Sequence, residues 1–244
     1  MDRATPVVFL HAYPLNADMW RPQLAALRDR TTLAPHFPGF GGRAPGDADL
    51  VGFARAVLAD MDAAGIQRAI VVGLSMGGYT AFRLHALAPE RVAGLVLADT
   101  RAGADDEAGR AKRTAQAERA RSEGLGWLAD AMIPGLLGET TRRERPDVVQ
   151  AVASLIARAD AEGVARALEA MRGRPDSTPD LANIRIPVLA IVGEEDTLTP
   201  IAESRKIVEG VSDGRLVTLP GAGHLTNLEE PDAFNEELRA FLNG

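Results

Sequence analysis

The chain has 244 residues, 46% hydrophobic and 25% charged, which fits a globular protein with one large domain or a core plus an accessory domain. The absence of cysteine excludes a disulfide framework, a thiolate zinc site, an iron–sulfur cluster and a cysteine nucleophile. A formal charge of -7, with no Lys/Arg stripe interleaved with aromatics, argues against a nucleic-acid partner. In chain order, Val7-Val8-Phe9-Leu10 reads as a buried strand, followed by a helix over about residues 18–29. A weaker strand, Thr31-Thr32-Leu33-Ala34, precedes the turn Pro38-Gly39-Phe40-Gly41-Gly42. Next come a helix over 50–64, the strand Ala69-Ile70-Val71-Val72, a helix over 76–88 and the strand Leu95-Val96-Leu97-Ala98.

From about residue 101 to 186 the pattern is helical throughout. A solvated helix near 105–122 comes first, then one carrying Leu125, Trp127, Leu128, Met132 and Ile133 that ends at Pro134-Gly135. A third starts at Pro146, a suitable first helical position, and a fourth carries Val164, Leu168 and Met171. The strand Val188–Val192, a helix over 202–209, the strand Leu216–Leu219 and a helix over 230–242 complete the chain. Continuous apolar strands alternating with helices predict an α/β fold with a mostly parallel, doubly wound sheet covered on both faces. Residues 1–100 and 187–244 form its core, and 101–186 a helical lid over the carboxyl edge. No apolar run approaches the roughly 18 residues that span a bilayer, and no signal-peptide core follows Met1. No membrane partner is therefore expected, and a cytoplasmic location is the default.

Gly73-Leu74-Ser75-Met76-Gly77 lies between a predicted strand and a predicted helix, the G-x-S-x-G pattern of a nucleophile elbow. A sharp turn there projects the hydroxyl above the sheet, and the glycines let backbone pack close. With 24 glycines and six serines the motif arises by chance in about 6% of shuffled chains, so its partners matter. Ser75 needs a base within hydrogen-bond reach. Of four histidines, only His224, in the loop after the last strand, fits the chain order serine, acid, histidine. Asp196 is the preferred acid and Asp99 the second, both following strands on the same edge, with Glu194 and Glu195 as near competitors. The oxyanion hole is expected from the N–H of Met76 and the N–H of Tyr13, with Leu15 the fallback and His11 bracing the loop. Nothing matches a phosphate loop, H-E-x-x-H or G-x-G-x-x-G after the first strand, so no cofactor and no metal is expected.

The motifs His11-Ala12-Tyr13-Pro14-Leu15, Pro38-Gly39-Phe40-Gly41, Gly73–Tyr79, Leu97–Arg101, Arg174–Thr178, Gly193–Asp196 and Gly221–His224 together resemble those of the α/β-hydrolases. The resemblance is to the bacterial carboxylesterase and 3-oxoadipate enol-lactonase-like branch. It implies the α/β-hydrolase fold and hydrolytic chemistry, with Ser75 as nucleophile, His224 as base and Asp196 as acid. Three departures stand out. The residues ahead of Val7 are too few for the family's opening hairpin, so a smaller sheet is one expectation and a truncated start the other. Ala12 replaces a glycine of the oxyanion loop, and His36 replaces an acidic residue before the glycine-rich turn.

The expected function is a serine carboxylesterase acting on a small-molecule ester. The alternatives are a lactonase, on an enol-lactone or acyl-homoserine lactone, and a slow-turnover receptor or signalling protein of the same fold. The ester would bind under the lid among Trp127, Met132, Ile133, Leu137 and Ile156, and an apolar pocket would favour acyl chains over charged substrates. A monomer or homodimer is expected.

Overall fold

Apolar runs rich in β-branched residues need cover on both faces, and they form the interior strands of one sheet. The computed structural model describes residues 5–244. The chain runs from strand β1 (Val7–Leu10) through a 3-10 turn and helix α1 (Arg21–Ala26) to strand β2 (Thr32–Leu33). Helix α2 (Leu50–Ala63), strand β3 (Ala69–Leu74), helix α3 (Met76–Leu87) and strand β4 (Val92–Ala98) follow. Between β4 and the next strand lie α4 (Glu107–Glu123), α5 (Leu128–Leu136), α6 (Glu139–Glu144), α7 (Pro146–Ile156) and α8 (Ala161–Arg172). Strand β5 (Val188–Gly193), helix α9 (Ile201–Gly210), strand β6 (Gly214–Leu219) and helices α10 (Thr226–Glu229) and α11 (Pro231–Asn243) end the fold.

Among the described residues the sheet is six-stranded and wholly parallel, in the order β2-β1-β3-β4-β5-β6. Winding runs one way from β1 to β2 and the other way from β3 to β6. The reversal opens a crevice at the carboxyl ends of β1 and β3, where open α/β sheets bind ligands. The loop after β1 and the turn carrying Ser75 flank that crevice. Helix α11 seals one face beside α1, with Trp20 packed between Phe9 and Phe234 at ring separations of 5.0 and 6.0 Å. No helix among the described residues is long and apolar enough to cross a membrane.

Four local expectations are corrected. The helix expected over 18–29 is split into a 3-10 turn at Ala17–Trp20 and α1, with Pro22 in the first turn of α1. Helix α5 runs through Pro134 rather than ending there. A proline in the last turn costs one hydrogen bond, and the carbonyl it leaves belongs to Asp130, an exposed residue. Helix α6, Glu-Thr-Thr-Arg-Arg-Glu, was not expected, because six polar residues carry no apolar period. Strand β6 is an edge strand with Gly214, Arg215 and Thr218 exposed, so cover on both faces holds for the interior strands only.

Candidate active site

Ser75 sits where β3 turns into α3, with φ 54° and ψ -111°. This is a backbone conformation that L-residues rarely adopt and that persists only when its surroundings enforce it. The enforcement is close packing. A side chain on Gly73 would collide with the Gly77 carbonyl, and one on Gly77 with the Leu10 carbonyl of β1. The Ser75 N–H donates to Ala98 O at 3.0 Å, and the Thr100 hydroxyl donates to Ser75 O at 2.9 Å. As N-cap of α3, Ser75 makes no capping side-chain bond, so its hydroxyl is left for another partner.

Asp196 and His224 meet in the loops after β5 and β6. His224 Nδ1 lies 2.8 Å from Asp196 Oδ2, with both side chains almost fully buried. Asp196 Oδ1 accepts the N–H groups of Leu198 and Thr199 at 2.8 and 3.0 Å, while Oδ2 also accepts the Thr199 hydroxyl at 2.6 Å. Burial alone would raise the Asp196 carboxyl. The adjacent His224 and the bonds from His224 and Thr199 outweigh it and hold the group below the usual carboxylate range. Asp196 is therefore anionic at neutral pH and fixes the proton of His224 on Nδ1, leaving Nε2 as the basic nitrogen. No hydrogen bond joins Ser75 to His224 in this structure. Bonds of that kind tighten when substrate is bound.

The loop after β1 faces the elbow. Among the described residues the N–H groups of Tyr13 and Met76 have no hydrogen-bond partner, whereas Leu15, the fallback, donates to Ala12 O at 3.0 Å. His11 braces this loop. Its Nδ1 pairs with Ala12 O at 3.0 Å, its Nε2 accepts the Phe37 N–H at 3.0 Å, and its ring lies 4.5 Å from that of Phe37. Burial lowers the imidazole from 6.5 to about 3, the Ala12 carbonyl opposing part of the shift. The folded protein thus refuses a proton that the unfolded chain accepts below pH 6.5, so stability is lost as pH falls through that window. Between pH 7 and 5 this term costs about 2 kcal/mol. Urea unfolding of wild type and His11→Gln at both pH values checks it. The variant's pH dependence should be shallower by that amount, and equal slopes would refute the assignment.

The competing acids lie elsewhere. Asp99 is fully buried at φ 44° and hydrogen-bonds Gly193 and Thr226, not His224. Burial, reinforced by the charge of Asp196, pushes its carboxyl well above the ordinary range. Glu195 turns to the inserted helices, accepting the Thr140 N–H at 2.9 Å and its hydroxyl at 2.5 Å. His36 accepts the Ala17 N–H at 3.1 Å, and Arg43 donates to the His36 carbonyl at 3.0 Å and pairs with Asp60 at 2.5 Å. Of the five proposed lining residues, Trp127, Met132 and Ile133 are partly buried against the core. Leu137 and Ile156 are only 2% exposed. The Trp127 ring is itself covered by the Arg119 guanidinium at 4.2 Å, and its indole N–H donates to Gly124 O at 2.8 Å.

Sequence reasoning missed three groups around the pair. Thr199 bonds Asp196 and lies 3.3 Å from His224 Nδ1. Thr226 bonds Asp99. Glu229, fully buried, accepts the Leu225 N–H at 3.0 Å and the Gly138 N–H at 2.8 Å. The only advance signal was proximity: each lies two to five residues from Asp196 or His224.

A family model described as alpha/beta hydrolase matches residues 7–237. The chain is 30% identical over 242 residues to 3-oxoadipate enol-lactonase 2 of Acinetobacter baylyi, covering 97% of this chain and 88% of that protein. A thermophilic esterase from Thermogutta terrifontis, solved with malate bound, superposes with a TM-score of 0.95 at 35% identity, over 100% of this chain and 91% of that one. The enol-lactonase of Burkholderia xenovorans superposes with a TM-score of 0.91 at 30% identity, over 100% and 93%.

Proposed function

The chain belongs to the alpha/beta hydrolase family, in its enol-lactonase and esterase branch, and we propose that it is a serine carboxylesterase. Its substrate is a small-molecule ester, and the inserted helices are its cap. The observation that carries this reading is the buried 2.8 Å contact between Asp196 and His224 on the sheet edge that also bears the strained Ser75.

His224 Nε2 takes the proton of the Ser75 hydroxyl as Oγ attacks the ester carbonyl. The tetrahedral oxyanion is held by the Met76 and Tyr13 N–H groups. Collapse expels the alcohol, which receives the proton from His224 and leaves an acyl group on Ser75. Water then gives a proton to His224 and its oxygen to the acyl carbon. The second tetrahedral intermediate collapses, Ser75 regains its proton and the acid departs. Asp196 keeps the imidazole in the required tautomer and stabilises its charged form. Trp127, Met132 and Ile133, half-buried on the inserted helices, line the acyl side, with Leu137 and Ile156 as packing behind them.

Steady-state hydrolysis of p-nitrophenyl esters from acetate to decanoate tests the reading, together with stoichiometric labelling by a fluorophosphonate. Many turnovers per second and one label on Ser75 per chain are expected. Slow single turnover would instead favour a receptor, and no reaction with either reagent would refute a serine hydrolase.

A lactonase reading is favoured by one further observation. Asp105 is shared by Arg101 at 2.5 Å, Arg174 at 2.8 Å and Arg113. Three guanidiniums thus face one carboxylate beside Tyr79, one turn along α3 from Ser75, and Arg174 lies 4.3 Å over the Tyr79 ring. Such an excess of positive charge suits a lactone or ester that carries a free carboxylate, as the name 3-oxoadipate enol-lactonase implies for the substrate of the two Acinetobacter baylyi relatives that bear it. Ring opening uses the same steps, with the leaving alcohol still tethered. A higher kcat/KM for acid-bearing lactones than for neutral esters of equal size would decide for it.

A further inference from the structure

Asp99 is a fully buried acid that the reaction sequence above does not use. It sits at the end of β4, between the strands that deliver the acid and the nucleophile. Its N–H donates to Ile191 O at 2.9 Å, its Oδ1 accepts the Gly193 N–H at 3.0 Å, and its Oδ2 accepts both the N–H and the hydroxyl of Thr226 at 3.3 and 2.5 Å. Gly193 lies three residues before Asp196, and Thr226 two residues after His224. One side chain therefore ties the end of β5, from which the acid loop leaves, to the start of α10, into which the base loop runs, at a single point of the sheet. Its left-handed backbone, φ 44°, costs about 1–3 kcal/mol at a non-glycine residue. Asparagine and glycine adopt that conformation more readily, yet glycine has no acceptor and asparagine only one oxygen for the two arms.

We propose that Asp99 is a positioning residue: by joining the end of β5 to the start of α10 it fixes where the loops of Asp196 and His224 are anchored, and so sets the distance and angle of the pair on which hydrolysis depends. The inference rests on the serine-hydrolase reading and adds to it a residue that touches neither substrate nor reacting atoms. A shift of about 1 Å in such a pair lowers rate by roughly 10²-fold while leaving substrate binding largely intact. The expected signature is thus a fall in kcat with little change in KM. A merely structural role would instead lower the number of competent sites.

The test is kcat and KM on a p-nitrophenyl ester for wild type, Asp99→Ala and Asp99→Asn, each normalised to the sites titrated by a fluorophosphonate. Asp99→Ala should lose about 100-fold in kcat per titrated site, with KM within about threefold. Asp99→Asn keeps one acceptor and should recover part of the loss, to about tenfold below wild type. Rates per titrated site within threefold of wild type would overturn the proposal, as would a loss carried by KM alone. If Asp99→Ala does not fold, the same comparison on Asp99→Asn decides. A wild-type protein inert to both ester and phosphonate would sink the serine-hydrolase reading and this inference with it. An active wild type with unaffected variants would sink the inference alone.

Discussion

Ser75→Ala should lower kcat on any accepted ester by about 10⁵- to 10⁶-fold, the scale found when a triad serine is removed from a serine protease. The elbow geometry is not set by the serine. It is imposed by the approach of α3 to β1 at Gly77 and by the hydrogen bonds of Ser75 N and O to Ala98 and Thr100, all of which an alanine retains. The variant should therefore fold with an unchanged melting temperature and still bind substrate. Only the nucleophile is missing, while the Tyr13 and Met76 N–H groups remain to polarise a carbonyl, so a trace of catalysis over water is expected. Activity at 1% of wild type or more, in a preparation free of other esterases, would show that another group attacks the ester.

Asp196→Asn should cost about 10³- to 10⁴-fold in kcat, the upper figure being that of the same change in the serine-protease template. Both oxygens of Asp196 are engaged, Oδ1 by two backbone N–H groups and Oδ2 by Thr199 and His224. The new amide keeps its oxygen toward the backbone donors and turns its NH₂ toward His224 Nδ1. That imidazole is then held with its proton on Nε2, where it cannot accept the proton of Ser75. Thr199, 3.3 Å from Nδ1, offers an alternative acceptor and explains the lower end of the range. Removing it as well, in Asp196→Asn/Thr199→Val, should deepen the loss. An activity within tenfold of wild type for Asp196→Asn would transfer the role to another carboxylate.

Much of this was legible in the chain because the signals are local. Val7–Leu10 and Val188–Val192 declare buried strands by composition, and the glycines around Ser75 declare a turn that only small residues can make. His224 followed from its place after the last strand. The sequence favours Asp196 over Asp99, and the structure pairs Asp196 with His224. Both acids end a strand on the same edge, and only the folded loops show which carboxylate reaches Nδ1 and which turns to Gly193 and Thr226. Glu229 and Thr226 were invisible for a related reason: the four-residue α10 is too short to show a period, and their distant partners lie 91 and 127 positions away. The two-residue β2 lies within the weaker strand expected over residues 31–34, whereas the wholly polar α6 falls below the contrast that periodicity needs. Among the apolar positions, Leu137 continues the spacing of Ile133 on α5 and Ile156 that of Val149 and Val152 on α7, but spacing cannot say which face is core.

The link between the inserted helices and the base loop bears on how such proteins recombine. Leu136 O accepts the His224 N–H at 3.2 Å, Gly138 N–H reaches Glu229, and Thr140 N–H reaches Glu195. The turn between α5 and α6 thus rests on residues encoded about 55 to 90 positions downstream. A chimera that takes only the insert from a relative would set a foreign turn against the resident histidine loop, and its activity would fall whatever the new pocket accepts. Activity should be kept when the turn travels with the matching Glu195 and Glu229, which makes these positions one unit for any exchange of the insert.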